Sequence, residues 1–396
     1  MDVGKRQIAR IQTALRELQI PAWLFYDFRQ LDPIACSILK FEPDHHATRR
    51  WFYLVPAEGE PAKLVHRIES AMLDHLPGPK HVYLRWSELH SQLKTMLQNT
   101  ASVAMQYSEL NAIPYLSRVD AGTVELVQSC GPSVLSSAEL IQHFESVLDS
   151  RQLELHRESS QQITSIVKEA YKFAETEIRG KGHTSEYTVQ QFIMSRLEEV
   201  GLVTDSPPIV AVNQNSADPH YQPNSEVSDK IARDDFLLID LWAKSTEDGS
   251  VYADITWNAF FGETPPGQII QVFDLVRQAR DRGVEFLRER IAQNQHPQGW
   301  EVDDAVREVI RSGGFEDSFI HRTGHNLGVE PHGNGVNFDN LETHDERGVI
   351  PGLLCTIEPG IYLDQFGVRS EINISISKSG VEVTTTPQDQ IVCLPC

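Results

Sequence analysis

Asp240 in FLLIDLWA, Asp254 in VYADITWNAFFG, His325 in HRTGHNLG, Glu358 in CTIEPGIY and Glu371 in VRSEINISI sit in strand-like or turn-like surroundings. Each carboxylate follows or lies within an apolar, β-prone run, where an ionised group is normally excluded. Buried charge is tolerated in such a place when it is paired or coordinates a metal. Four carboxylates and one imidazole form an oxygen-rich donor set with a single nitrogen. That set suits a pair of harder divalent ions such as Mn²⁺ better than a thiolate-seeking ion.

The spacing of these residues predicts how they meet. Asp240 and Asp254 are joined by the polar turn AKSTEDGS, and two strands paired as a hairpin bring both carboxylates to one edge. A role as turn or cap aspartates fits poorly with their apolar and β-branched neighbours. The segment HRTGHNLGVEPHG carries His321, His325 and His332, with Gly324 and Gly328 marking backbone that turns or approaches something closely. Histidine is the commonest metal ligand and the usual proton carrier near neutral pH, although a surface loop with satisfied histidines gives the same pattern. Glu358 precedes a Pro-Gly turn. Arg369 and Glu371 read as one strand, where a period of two puts both on one face and lets Arg369 compensate the carboxylates.

A chain of 396 residues exceeds what one core usually fills, so two domains are expected. A net charge of −21 argues against a polyanionic partner such as nucleic acid, which requires Lys and Arg to neutralise phosphate. Residues 1–20 are periodic and mixed in charge, unlike a secretory leader, and no run is long and apolar enough to span a bilayer. The five cysteines are Cys36, Cys130, Cys355, Cys393 and Cys396, and a sparse odd count without a leader reads as a reduced, cytoplasmic protein. Cys393 and Cys396 form a C-x-x-C at the end of the chain, where a frayed terminus is the simpler reading.

Along the chain, residues 1–151 alternate helices and strands: IARIQTALRELQI as a helix, PAWLFYD as a strand, WFYLVP and AKLVHRI as a hairpin, HVYLRW and SVAMQYS as strands around a helical SELHSQLKTMLQ. His45 and His46 read as exposed loop residues. From Leu153 to about Gly180 runs a long helix with an apolar stripe of Ile163, Ile166, Val167, Ala170, Tyr171 and Phe173. Thr184 or Ser185 caps a second amphipathic helix, and strands with tight turns follow, divided by a helical pair.

The order Asp, Asp, His, Glu, Glu comes with D-x-T-x-x-x-F-x-G from Asp254, H-x-x-G-H-x-x-G-x-x-x-H from His321, E-P-G from Glu358 and R-x-E from Arg369. Each word alone is weak, and together they are specific. The chain resembles the superfamily of methionine aminopeptidase, prolidase, aminopeptidase P and creatinase, in its prolidase and aminopeptidase P branch. The resemblance implies an α+β fold, with a pita-bread catalytic domain over 152–396 and a smaller creatinase/prolidase-type α/β domain over 1–151. It implies hydrolysis of Xaa-Pro bonds, most simply in dipeptides, by a hydroxide shared between two divalent ions, with Mn²⁺ ahead of Zn²⁺ or Co²⁺. On this likeness Asp240 chelates one ion, Asp254 and Glu371 bridge both, and His325 and Glu358 bind the other. His332, Glu358 and His321 take the catalytic roles, and His220, His321, His332 and Arg369 meet substrate. The implied partners are a small proline-containing peptide and a second copy of the chain in a homodimer, with neither nucleic acid nor membrane.

An Xaa-Pro aminopeptidase acting on longer peptides is the alternative. A metal-free creatinase-like hydrolase and a non-catalytic scaffold fit less well, because all five ligands are present. A dipeptidase must also hold the proline carboxylate, for which Arg322, Arg347 and Arg369 are candidates. The chain departs from the resemblance in three places. Trp257 stands where an arginine is common, and either narrows the pocket beyond proline or fills the core. Tyr252 precedes Asp254 by two residues rather than three. Ile372 and Asn373 replace acidic residues after the last Glu.

Overall fold

The computed structural model describes residues 3–42 and 44–396. Met1, Asp2 and Pro43 lie outside the described residues, and with them the first two positions of the N-terminal periodic stretch. The chain divides into two compact units, Met1–Glu145 and Ser146–Cys396. The boundary expected at 151/152 falls inside the first turn of the long helix Ser150–Lys181.

The first unit is built on a six-stranded sheet. Its spatial order is Lys80–Tyr83, Ala62–His66, Trp51–Pro56, Ala22–Asp27, Ser102–Met105, Ser133–Ser136. Strand Ala22–Asp27 is buried along its whole length because alternate residues enter two cores. Trp23 and Phe25 pack with Ile8, Ile11 and Leu15 of helix Val3–Glu17, while Leu24 and Tyr26 pack with Leu89 and Leu93 of helix Trp86–Leu97. The expected hairpin is present, with Phe52 opposite Leu64 and Leu54 opposite Ala62. HVYLRW does not stay extended. Its strand stops at Tyr83 and Trp86 opens the next helix, where Glu88 accepts from the backbone N–H of Arg85. His45 lies 3.2 Å by Nε2 from the Cys36 Sγ in this unit, and His46 is exposed.

In the second unit, helix Ser150–Lys181 starts at a capping box formed by Asp149 and Gln152, and ends at Gly182 with φ of 85°. Its buried stripe runs through Ile163, Ile166, Val167, Ala170, Tyr171, Ala174 and Ile178. Phe173, expected in that stripe, is only partly buried and stacks on Phe192 at 4.5 Å. Ser185 caps the next helix, Glu186–Glu199, by accepting from Thr188 N–H. The stripe packs on one face of the antiparallel hairpin Phe236–Ser245 and Ala253–Phe260, against Ile239, Leu241, Ile255 and Trp257. Strand Ile209–Val212 flanks this hairpin on one side, and the short parallel strand Val392–Cys393 on the other. A second sheet joins Leu354–Ile357, Ile372–Ser377 and Gly380–Val383, beside the hairpin Gly360–Leu363 and Phe366–Arg369.

Two expectations change here. Arg369 closes one strand and Ile372 opens the next, so Glu371 sits in the break between them and not on a common strand with Arg369. Cys393 lies in an edge strand and Cys396 packs on the hydrophobic core, and both are free thiols.

Candidate active site

The hairpin register sets the first half of the site. Asp240 lies opposite Thr256 and Trp242 opposite Asp254, so all four point to the face turned away from helix Ser150–Lys181. Ile239, Leu241, Ile255 and Trp257 take the other face by the period of two. Trp257 is therefore a core residue, with Lys168 Nζ 5.2 Å over its ring, and it is not among the residues lining the cavity, so it does not narrow it. Tyr252 is buried beside Leu327 and Leu354 and does not line the cavity.

His325, Glu358 and Glu371 complete the set. One ligand atom each from Asp254, His325 and Glu371 lies within 4.8 Å of the others. His325 Nε2 is 3.3 Å from Glu358 Oε1 and 3.8 Å from Asp254 Oδ2. Two threonines fix the carboxylates, Thr256 from the D-x-T word, which was given no role in the sequence, and Thr356, which was not singled out. Thr256 donates to Glu371 Oε2 at 2.8 Å, and Thr356 accepts from His325 N–H at 2.9 Å while donating to Glu358 Oε1 at 3.1 Å. Each stands two residues from a carboxylate of the set, Thr256 on the strand of Asp254 and Thr356 on the strand that ends just before Glu358, and that spacing was the available signal. Asn373, one of the departures, holds the Asp254 backbone in two bonds, accepting from its N–H at 2.9 Å and donating to its carbonyl at 2.7 Å.

All nine sequence-derived site residues line one cavity of about 530 Å³: His220, Asp240, Asp254, His321, His325, His332, Glu358, Arg369 and Glu371. Arg369 is buried and spends three nitrogens on the protein: Nε on Thr256 at 3.0 Å, Nη1 on Tyr362 at 2.8 Å and Nη2 on Asp240 at 2.6 Å. The Tyr362 hydroxyl in turn donates to His321 Nε2 at 2.8 Å, because His321 Nδ1–H is committed to the Arg322 carbonyl at 2.7 Å. Burial, with the Arg369 charge added, pushes His321 down to about 3, so it stays neutral. Both His321 nitrogens are thereby occupied by the protein. Arg347 is buried in a fork on Asp345, at 2.9 and 2.6 Å, and is not among the residues lining the cavity. Arg322 does line it, and among the described residues its guanidinium has no hydrogen-bond or ion-pair partner.

Behind the histidine segment, Asp303 accepts from Thr323 N–H at 3.0 Å, and Arg307 donates to the carbonyls of Phe319 and His321. Asn326 pins the His332 loop. It accepts from Gly335 N–H at 2.9 Å, and a Cβ at Gly333 would come within 2.3 Å of its Oδ1. Sequence reasoning missed Asp303 and Arg307 because they act from the helix Gly299–Ser312, and Asn326 because its partner Gly335 meets it only once the loop folds back.

The donor set fits divalent cations. Asp240 Oδ1, Asp254 Oδ1 and Glu371 Oε1 are buried with no hydrogen-bond donor among the described residues. Such oxygens are rare in a native interior unless something else satisfies them. Burial, and then repulsion from neighbouring carboxylates, pushes Asp254 and Glu371 well above the usual carboxylate range. Burial also pushes Glu358 up to about 7. Cations held by Asp240, Asp254, His325, Glu358 and Glu371 would relieve both effects.

A carboxylate-and-histidine centre in a unit of this mixed α/β architecture is that of a metallohydrolase of the pita-bread type. The chain belongs to metallopeptidase family M24, whose sequence profile matches residues 154–378. It is 32% identical over 186 residues to an Xaa-Pro dipeptidase of Pyrococcus furiosus, covering 46% of this chain and 48% of that one. It is 30% identical over 189 residues to a putative Xaa-Pro aminopeptidase of Mycoplasma pneumoniae, covering 46% and 48%. The matches thus span about half the length of each relative. The solved structure of a dipeptidase from Mycobacterium ulcerans is similar over 100% of this chain and 98% of that one, with a TM-score of 0.71 at 18% identity. That likeness is one of fold, and it agrees with the architecture expected from the sequence.

Proposed function

We propose that this chain is a prolidase-like enzyme that hydrolyses Xaa-Pro dipeptides with two divalent ions, Mn²⁺ foremost. The observation that carries the dipeptide reading is Arg322, a cavity-lining guanidinium without a protein partner, suited to a substrate carboxylate. Arg347 and Arg369 are occupied elsewhere. Asp240, Asp254, His325, Glu358 and Glu371 would hold the ions. When bound, these supply Lewis acidity and make a water nucleophilic near neutral pH.

The remaining work falls to side chains. Glu358 takes the proton of the attacking water and returns it to the proline nitrogen. His332 lies beside His325, with ring centroids 4.5 Å apart, and burial lowers its pKa, so it meets the substrate as a neutral imidazole that steadies the developing oxyanion. His321 orients Tyr362, and through it Arg369, in place of exchanging protons itself. His220 closes the cavity from its own loop. An Xaa-Pro bond is a tertiary amide without N–H, so recognition must rest on the chain ends and the ring.

The test compares Ala-Pro, Ala-Pro amide and an Ala-Pro-Xaa tripeptide. The dipeptidase reading expects strong preference for the free acid, lost in Arg322→Gln. Equal rates on all three would favour the aminopeptidase reading. We propose a homodimeric, cytoplasmic enzyme on the same likeness. No helix among the described residues is long and apolar enough to cross a membrane.

A further inference from the structure

We infer that Trp242, held by Asp205, selects the residue that precedes proline and admits small side chains over bulky ones. This rests on the Xaa-Pro reading above. Trp242 stands directly opposite Asp254 in the hairpin, on the face that carries Asp240. Cross-strand partners have Cβ atoms about 4.5–5.5 Å apart, so the indole rises beside the ligand carboxylates and not at a distant rim. It is half-buried and lines the cavity together with Ile209. Its Nε1–H donates to Asp205 Oδ1 at 2.6 Å, which anchors the ring by its polar end and leaves an apolar surface toward the substrate.

Charge gives the direction in which a dipeptide lies. Asp205 and Asp218 line the cavity, as does Arg322. On the proposed reading the free ammonium of an Xaa-Pro dipeptide pairs with Asp205, which holds the Trp242 indole, and its carboxylate pairs with Arg322, whose guanidinium is free among the described residues even though its backbone N–H donates to Glu342. The side chain of the first residue then faces the indole. A ring of this size, cross-strand from Asp254, bounds the space open to it. An aromatic or branched residue collides with a ring that its Asp205 bond prevents from swinging away.

The experiment measures kcat/KM for Gly-Pro, Ala-Pro, Leu-Pro and Phe-Pro with the metal-loaded wild type, Trp242→Ala, Trp242→Phe and Asp205→Ala, and checks folding by thermal melts. The wild type should favour Gly-Pro and Ala-Pro over Leu-Pro and Phe-Pro. Trp242→Ala should raise the ratio of Phe-Pro to Ala-Pro by roughly tenfold or more, the scale on which pocket volume discriminates. Asp205→Ala alters an exposed residue, and so keeps the test alive if Trp242→Ala fails to fold; by freeing the ring it should move the ratio the same way by less, as should Trp242→Phe. A merely structural role for Trp242 would depress all four substrates alike and leave the ratio unchanged, which overturns the inference. A wild type that already prefers Phe-Pro also overturns it. A wild type inactive on every Xaa-Pro peptide overturns the proposed function, and this inference with it, whereas activity with an unmoved ratio removes the inference alone.

Discussion

Arg369 Nη2 lies 2.6 Å from Asp240 Oδ2, in an ion pair whose two side chains are largely buried. The same guanidinium reaches Thr256 and Tyr362, so one cation ties the Asp240 strand to both the threonine that supports Glu371 and the hydroxyl that donates to His321. Breaking a buried pair from one side leaves the other charge uncompensated, a loss of about 3–5 kcal/mol. Arg369→Met should therefore destabilise the protein more than Arg369→Lys, which keeps the charge but not the three-way geometry. Urea unfolding in chelator should show the full gap, and added Mn²⁺ should narrow it by supplying positive charge. A Met variant as stable as the wild type in chelator would remove Arg369 from this role.

Metal content is the next expectation. Elemental analysis should find about two divalent ions per chain, and Mn²⁺ should restore most activity after chelation. Glu371→Ala should be among the most damaging substitutions. It deletes one of the buried oxygens that lack a protein donor and leaves Thr256 without its acceptor. Full activity in chelator with no bound metal would end the reading.

His325 and His332 stand side by side but should fail differently. His325 lies among the carboxylates, whereas His332 lines the cavity beyond it. His325→Ala should lower metal affinity. His332→Ala should retain metal and lose roughly 10²–10⁴-fold in kcat, the range for a positioned acid–base or oxyanion group. Isothermal titration with Mn²⁺ alongside steady-state rates separates the two. Equal metal binding and similar rates in both variants would contradict the assignment.

What the sequence made legible follows from how local each signal is. Asp240 and Asp254 stood out because carboxylates are rare in apolar strands, and hairpin pairing then had only a few registers to choose from. His325 and His332 stood out through their spacing and glycines. Glu371 lines the cavity from the break between two strands and not from the strand expected for it, since a two-residue break leaves no mark in a run as β-prone as VRSEINISI. Tyr362, Asp303, Arg307 and Asn326 carry no local signal, because a polar residue reveals its partner only after the chain folds. Arg347 reads as available for the same reason, whereas in the fold its guanidinium is taken by Asp345.

Trp257 offers a test of the register itself. It faces the core against helix Ser150–Lys181, on the side opposite the ligand carboxylates. Trp257→Ala should cost about 3–5 kcal/mol of stability, as large-to-small core substitutions do. The substrate ratios that Trp242→Ala shifts should remain unchanged in whatever fraction stays folded. A selectivity change in Trp257→Ala at unaltered stability would mean that the two tryptophans had been placed on the wrong faces.

The last expectation concerns acid stability and His156, which is fully buried in helix Ser150–Lys181. Its Nδ1–H donates to the Tyr252 carbonyl at 2.9 Å, and its Nε2 accepts from the Thr384 hydroxyl at 2.7 Å, so the neutral ring is satisfied at both nitrogens. Burial lowers its pKa from 6.5 to about 4. The unfolded chain therefore binds this proton at a pH where the folded chain does not, and stability rises with pH across that interval. The contribution is whole above pH 6.5 and is lost as pH falls toward 4, on the order of 3 kcal/mol over the window. His156→Gln should be less stable than the wild type at pH 7, yet lose less between pH 7 and pH 5. Urea unfolding at the two pH values measures this, and parallel losses in both proteins would show that His156 does not govern the acid limb.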